Sequence, residues 1–368
     1  MNNYCPDLFN TIFIQKVNES ESEIGHCCVS KLSDPVSTID FQSDFLATNR
    51  QHFLSTGNLP PACVYCTTAE SKGQISRRTK RSRPYVENNK YPTEVVLEHL
   101  DYNCDNICNL KCIMCSGYYS STWREDEVAL GFRIDYRTKP TKHNTMIYDA
   151  DVSKLKSIYF NGGEPLMTRD HINVLNHALS NSQEPQHIRI SYSSNGTFPM
   201  TDEMADLWKQ FEAVYINFSI DATEKEFEYI RFPAIWADVE KNIDTFRLPN
   251  LVTKITATVG VHNILYFDKL YHWAAKRNIE IYVQDTNGRS QLAIQNFPRA
   301  GKDRLIAYLN KLPESGSKQS LLNLAHNINN DGHARWIEYL NKLDRMRGNN
   351  WRNSLSRLNE INSHGCME

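Results

Sequence analysis

The sequence predicts an α/β protein built on a parallel sheet. Two observations carry this: strand-like and helix-like runs alternate through the middle of the chain, and ligand-type residues fall where the strands end. Six runs rich in Val, Ile and aromatics have strand character: residues 94–100, 155–160, 187–193, 214–220, 254–261 and 279–283. Amphipathic segments lie between them, among them residues 169–179, 203–211, 236–246 and 265–276. Strands separated by helices pair in parallel through right-handed crossovers. Such a sheet takes its ligand at the carboxyl ends of the strands.

At 368 residues the chain is long enough for one large domain and a smaller one. Hydrophobic content of 40% and a net charge of -2 place it among ordinary globular proteins, and the near-neutral balance argues against nucleic acid as the main partner. No apolar run approaches bilayer-spanning length, and the opening MNNYCPDLFN lacks the basic and apolar regions of a signal peptide. The expectation is therefore a cytoplasmic protein with no membrane contact, where cysteine clusters are metal sites rather than disulfides. Nine of the ten cysteines fall within the first 115 residues, so any metal chemistry is concentrated there.

The loop after the first strand carries Cys108, Cys112 and Cys115 at C-x3-C-x2-C spacing. A closed metal site needs four protein ligands, so three thiolates on one loop leave a coordination position open for a small molecule. Part of a zinc site and ordinary buried thiols are the other readings of these residues. The second strand is followed by Asn161-Gly162-Gly163-Glu164-Pro165-Leu166. There two glycines admit close backbone approach, and a carboxylate can accept hydrogen bonds from an ammonium group. The third strand ends in Ser193-Ser194-Asn195-Gly196-Thr197, otherwise a plain Asn-Gly turn. The fourth ends in Ser219-Ile220-Asp221-Ala222, with Arg231 twelve residues beyond Ser219. A guanidinium there suits a two-point grip on a carboxylate, or else a surface ion pair.

In this order the motifs resemble those of the radical S-adenosylmethionine (SAM) superfamily. The resemblance implies a partial (β/α)6 barrel in which Cys108, Cys112 and Cys115 hold a 4Fe-4S cluster. Its open iron chelates SAM, which is cleaved to a 5′-deoxyadenosyl radical. It further implies that Gly162, Gly163, Glu164 and Pro165 bind the SAM amino group, that Ser194 and Asn195 lie near the ribose, and that Ser219, Asp221 and Arg231 serve the ribose and carboxylate. Many members carry an aromatic residue immediately before the last motif cysteine; here it is Met114, which can still contact an aromatic ring.

The first ninety residues add Cys5-Pro6, a hairpin-like stretch from Thr11 to Lys16, Cys27-Cys28, and Pro61-Ala62-Cys63-Val64-Tyr65-Cys66. A C-x2-C hook with two further cysteines supplies enough thiolates for a closed cluster or a zinc ion. With Glu70, Gly73, Ser76 and Arg78 following, the pattern resembles the auxiliary-cluster module of SPASM/twitch radical SAM proteins, although that module is often C-terminal. The expected ligands are Cys5, Cys27, Cys63 and Cys66, with Cys28 the rival to Cys27. Cys104 reads as a packed thiol and Cys366 as a free tail cysteine.

The resulting organisation is a small Cys-rich auxiliary domain over residues 1–90, the barrel over 91–290, and a helical C-terminal extension over 291–368 with helices expected at 302–312 and 334–347. The basic run 77–83 reads as a solvated linker or as a dock for an acidic peptide. His326 and His333 lie about 10 Å apart along a helix, too far to share a metal. Tyr118, Tyr119 and Asp285 are candidate acids or hydrogen donors by position alone.

Related SPASM/twitch enzymes often act on ribosomally made peptides or proteins. The resemblance therefore implies such a substrate, together with an external electron donor such as flavodoxin or ferredoxin. A sugar or small-metabolite dehydrogenase or epimerase, and a non-catalytic iron–sulfur scaffold, are the alternatives.

Overall fold

The computed structural model describes residues 3–17, 21–71, 73, 75–132, 150–286, 289–328 and 332–365; Cys366 lies outside them. Among the described residues the fold is α/β, with eight strands, most of them paired in parallel, and many helices. The strands are β1 (Thr11–Lys16), β2 (Ser22–Gly25), β3 (His99–Asn103), β4 (Ser157–Asn161), β5 (Arg189–Ser194), β6 (Ala213–Ser219), β7 (Leu251–Val259) and β8 (Glu280–Asp285). The chain divides into two compact units, one of Met1–Asn106, Arg137–Tyr192 and Thr201–Val214, the other of Ile107–Tyr136, Ser193–Met200 and Tyr215–Glu368. This division passes through the sequence segment 91–290, while residues 1–90 belong to the first unit and 291–368 to the second.

In the first unit the strand order is β2-β1-β3-β4-β5. β1 runs antiparallel to β2 (Phe13 opposite Gly25) and parallel to β3 (Thr11 opposite His99). β3 and β4 are parallel, as are β4 and β5. The hairpin-like stretch is therefore a strand pair built into the same ladder as the later strands. Every residue of β1 is buried, Gln15 and Lys16 included. Lys16 is tolerated there because its ammonium group meets buried Asp170 at 3.2 Å. In β4 and β5 alternate side chains (Ile158, Phe160, Ile190, Tyr192) are fully buried while their neighbours stay half-open, so one sheet face is packed and the other is less covered. Each such large side chain contributes about 1.5–3 kcal/mol by leaving water.

In the second unit β7 and β8 are parallel, with Lys254 opposite Glu280, and Ile255, Ala257 and Val259 form the packed face of β7. The first expected strand, at 94–100, begins only at His99 as β3: residues 91–98 run without strand structure, although Val96 and Glu98 donate to the carbonyls of Phe9 and Asn10. The helices expected at 302–312 and 334–347 form at Lys302–Asn310 and His333–Arg347. A helix at Glu224–Ile230, unmarked in the sequence reading, ends just before Arg231.

No helix among the described residues is long and apolar enough to cross a membrane.

Candidate functional site

The three-cysteine loop lies in the second unit and has no regular structure, so its shape comes from side-chain and backbone anchors. The Lys111 amide donates to the Phe232 carbonyl at 2.6 Å and the Ile113 amide to Ile230 at 2.9 Å. Trp123 Nε1 donates to the Cys112 carbonyl (3.0 Å), Tyr339 Oη to Ile113 (2.6 Å) and Arg289 Nε to Cys115 (2.7 Å). Ser120 holds the Leu110 carbonyl at 2.7 Å, and Lys111 pairs with Asp126 at 2.8 Å. The helix His333–Arg347 thus helps build the loop through Tyr339, and Arg347 adds a 3.1 Å ion pair to Asp126. A backbone held at this many points presents its thiols in a fixed arrangement.

Cys108 and Cys112 are buried and Cys115 partly so. Burial raises the Cys112 thiol pKa, with Arg231 pulling the other way, and pushes Cys115 up to about 12. Two of the sulfurs face N–H donors at 3.7 Å: Asn195 Nδ2 toward Cys108 and Arg231 Nη1 toward Cys112. Thiols so deeply placed lose their protons readily only to a metal, and donors aimed at sulfur suit the thiolate form. The donor set therefore fits an iron–sulfur group. Among the described residues no three His, Cys, Asp or Glu side chains converge for a single metal ion.

The strand-end residues of this unit are largely engaged with the loop and with one another. Asn195 donates to Asn109 Oδ1 at 3.1 Å as well as toward Cys108, and its own Oδ1 accepts from the Thr197 amide at 2.9 Å. Ser194 Oγ accepts from the Gly196 amide at 3.1 Å. Asp221 is buried. Its Oδ1 accepts from the Thr258 amide at 2.7 Å, and its Oδ2 forms a 2.7 Å ion pair with Arg231 Nε. Burial acts to lower the Arg231 pKa, but Asp221 and the Cys112 thiol hold it above its ordinary value. Arg231 is thus part of a buried pair reaching a cysteine, not a surface pair. Ser219 is half-buried and Met114 is buried.

His262, which the sequence reading did not single out, sits just past β7 with no solvent exposure. Burial presses its pKa down to about 3, and Arg231 adds to this, so the ring is neutral. Neither ring nitrogen is hydrogen-bonded among the described residues. Gly260 makes room for it: a Cβ there would meet the Leu292 carbonyl oxygen at 2.3 Å and the His262 ring at 2.8 Å. The strand-end position was the available signal. Tyr118 and Tyr119 contact each other edge to face, and Tyr119 is exposed. Burial raises the pKa of Asp285.

Gly162, Gly163, Glu164 and Pro165 belong to the first unit. Gly162 has φ 123°, and a Cβ on it would lie 2.5 Å from the Asp105 carbonyl oxygen and 2.7 Å from Asn103 Oδ1. The Gly163 amide donates to that same carbonyl at 2.7 Å. Glu164 is buried, and one of its oxygens caps the short turn Pro165–Met167 by accepting from the Leu166 amide at 3.2 Å.

The N-terminal cysteines also belong to the first unit. Cys5, Cys27, Cys63 and Cys66 line one cavity together with Asp7, His26, Arg77 and Arg78. Pro61 opens the turn Pro61–Cys63, which runs into the helix Val64–Ser71 and sets Cys63 and Cys66 one helical turn apart on a common face. Cys28 is exposed and outside this lining; it accepts from Arg77 Nη1 at 3.4 Å. Burial pushes the Cys27 and Cys63 thiols up to about 12 and Cys5 well above its ordinary value. His26 is buried and held neutral, its pKa pressed down to about 3.

The basic run is a helix, Arg77–Glu87, capped by Ser76 and Thr79. Arg77 and Arg81 each reach Asp7 at 2.9 Å, and Arg78 pairs with Glu70. These arginines are folded inward, which replaces both the linker and the docking expectation for them. Cys104 is buried in the same unit.

Residues 102–274 match the family model described as Radical SAM superfamily. That stretch of the chain is similar to a radical SAM domain. The matched segment includes both the cysteine loop and the Gly-Gly-Glu-Pro turn. Among solved structures, native anSMEcpe with bound AdoMet is 15% identical, over 58% of this chain and 59% of that one, with a TM-score of 0.44. Native anSMEcpe with bound AdoMet and Cp18Cys peptide is 13% identical, over 58% of each chain, at TM-score 0.43. Streptococcus suis SuiB bound to S-adenosylmethionine is 12% identical, over 81% of this chain and 67% of that one, at TM-score 0.36. The chain spans less than two thirds of the length of the anSMEcpe structures it matches. No curated protein matches it.

Proposed function

We propose that this chain is a SPASM/twitch-type radical SAM enzyme that modifies a ribosomally made peptide or protein by oxidation, cross-linking or backbone rearrangement. The observation that carries the SAM reading is the anchored loop of Cys108, Cys112 and Cys115, with Asn195 and Arg231 directed at two of its sulfurs inside a radical SAM domain. When bound, a 4Fe-4S cluster with SAM supplies a 5′-deoxyadenosyl radical, able to take hydrogen from an unactivated C–H bond.

The roles of the chain's own residues follow in this reading. Cys108, Cys112 and Cys115 hold the cluster, and Asn195 and Arg231 stabilise the thiolate form. Gly162 and Gly163 let backbone come close to the SAM amino group, and Glu164 accepts from it. Ser194, Ser219 and the Asp221–Arg231 pair serve the ribose and carboxylate side. Cys5, Cys27, Cys63 and Cys66 would hold an auxiliary 4Fe-4S cluster, which would supply one-electron redox chemistry there. Electrons enter from a donor such as flavodoxin or ferredoxin.

The peptide substrate rests on the SPASM/twitch resemblance. It is supported by the open groove beside β8, lined by Tyr271, Ala274, Tyr282 and Pro313, where an extended segment has room to lie.

The test is iron and acid-labile sulfide per chain after anaerobic reconstitution. About eight irons are expected for two clusters, falling to about four in Cys63→Ala/Cys66→Ala. About four in the parent protein, with zinc present, contradicts the auxiliary cluster. Absence of iron contradicts the reading altogether.

A further inference from the structure

We propose that Arg77 sets the redox potential of the group held in the N-terminal cysteine cavity, its guanidinium serving as a fixed positive charge beside the thiolates. The inference rests on the reading of that cavity as an iron–sulfur site and deepens it. The cavity has four cysteines, and a thiolate-bound cluster there would be an anion in a buried place. Burying an anion is costly without a compensating charge. Arg77 lines this cavity. Its Nε is held by Asp7 at 2.9 Å, its Nη1 donates to Cys28 Sγ at 3.4 Å, and its Nη2 lies 4.0 Å from Asp101.

Arg81 provides an internal comparison. It pairs with the same Asp7 carboxylate at the same 2.9 Å distance, yet it does not line the cavity. Asp7 thus orients two arginines and only one of them faces the sulfurs. A cation in that position favours the more negative, reduced member of a one-electron couple and so raises the midpoint potential. The run of basic residues that composition leaves unexplained then has a use: its first member is the counter-charge of the cysteine cavity.

The experiment uses the full chain with Cys108→Ala/Cys112→Ala/Cys115→Ala, so that only the N-terminal site can hold iron. Iron content and an EPR-monitored potentiometric titration are compared for Arg77→Gln, Arg77→Lys and Arg81→Gln in this background. Iron per chain is expected to stay at the background level in all three. The midpoint potential should become more negative in Arg77→Gln, shift less in Arg77→Lys, and hold in Arg81→Gln. An unchanged or more positive potential in Arg77→Gln overturns the proposal, as does an equal shift in Arg81→Gln. Iron loss in both Arg77 variants also overturns it, because the residue is then a structural clamp. If the background protein itself binds no redox-active iron, the iron–sulfur reading of the cavity fails, and the proposal with it.

Discussion

Asp221→Asn isolates the buried ion pair beside the three-cysteine loop. Asp221 is fully buried, its partner Arg231 nearly so, and Nε and Oδ2 are 2.7 Å apart. The asparagine keeps the carbonyl that accepts from the Thr258 amide but removes the charge, leaving a guanidinium uncompensated next to Cys112. Breaking one side of such a pair costs about 3–5 kcal/mol. Removing both charges, in Asp221→Asn/Arg231→Gln, should recover part of that loss, because neither charge is then stranded. Urea unfolding of the metal-free protein gives the four corners of the cycle, with a coupling of about 1–3 kcal/mol expected. A single variant that loses less than about 1 kcal/mol, or a double variant that loses the sum of the two singles, refutes the pairing and with it the role of Asp221 in aiming Arg231 at Cys112.

Three further outcomes follow. Gly162→Ala should destabilise the protein by about 2–4 kcal/mol, from a strained φ and a lost amide bond, with SAM binding weakened in calorimetry. Full retention of both contradicts the close approach to Asp105. His171 and His262 are buried with folded pKa values lowered to about 4 and about 3, mainly by burial. The unfolded chain therefore takes up their protons first, and stability is lost as pH falls from the unfolded value near 6.5 toward those folded values, by at most about 1.4 kcal/mol per pH unit for each ring. Melting temperatures from pH 7 to 5 should show a shallower loss in His262→Phe; an unchanged slope counts against the burial. Lastly, Cys27→Ser should lower the iron content of the N-terminal site while Cys28→Ser leaves it intact, and the reverse pattern would exchange their roles.

The strand ends were legible because parallel α/β folds place chemistry there: the cysteine loop and the Gly-Gly-Glu-Pro turn each fall between a strand and the next helix, whereas Arg231 comes after the helix Glu224–Ile230. The spacing of Cys5, Cys27, Cys63 and Cys66 likewise pointed to residues that line one cavity. Other features depend on contacts distant in sequence. β1 read only as part of a hairpin; the burial of its Lys16 rests on Asp170, 154 residues away. The basic helix read as solvated because Asp7, which turns Arg77 and Arg81 inward, is 70 and 74 residues distant. Asn195 could be placed at a strand end but not assigned its contact with Cys108, which depends on how the loop is anchored. His262 carried no motif at all.

The central claim is tested most directly by incubating the anaerobically reconstituted protein with SAM and a strong one-electron reductant, then quantifying 5′-deoxyadenosine and methionine. Radical SAM chemistry predicts both products from the parent chain and neither above background from Cys112→Ala. Iron-loaded parent protein that leaves SAM intact, or a Cys112→Ala variant that cleaves it as well as the parent, would contradict the account.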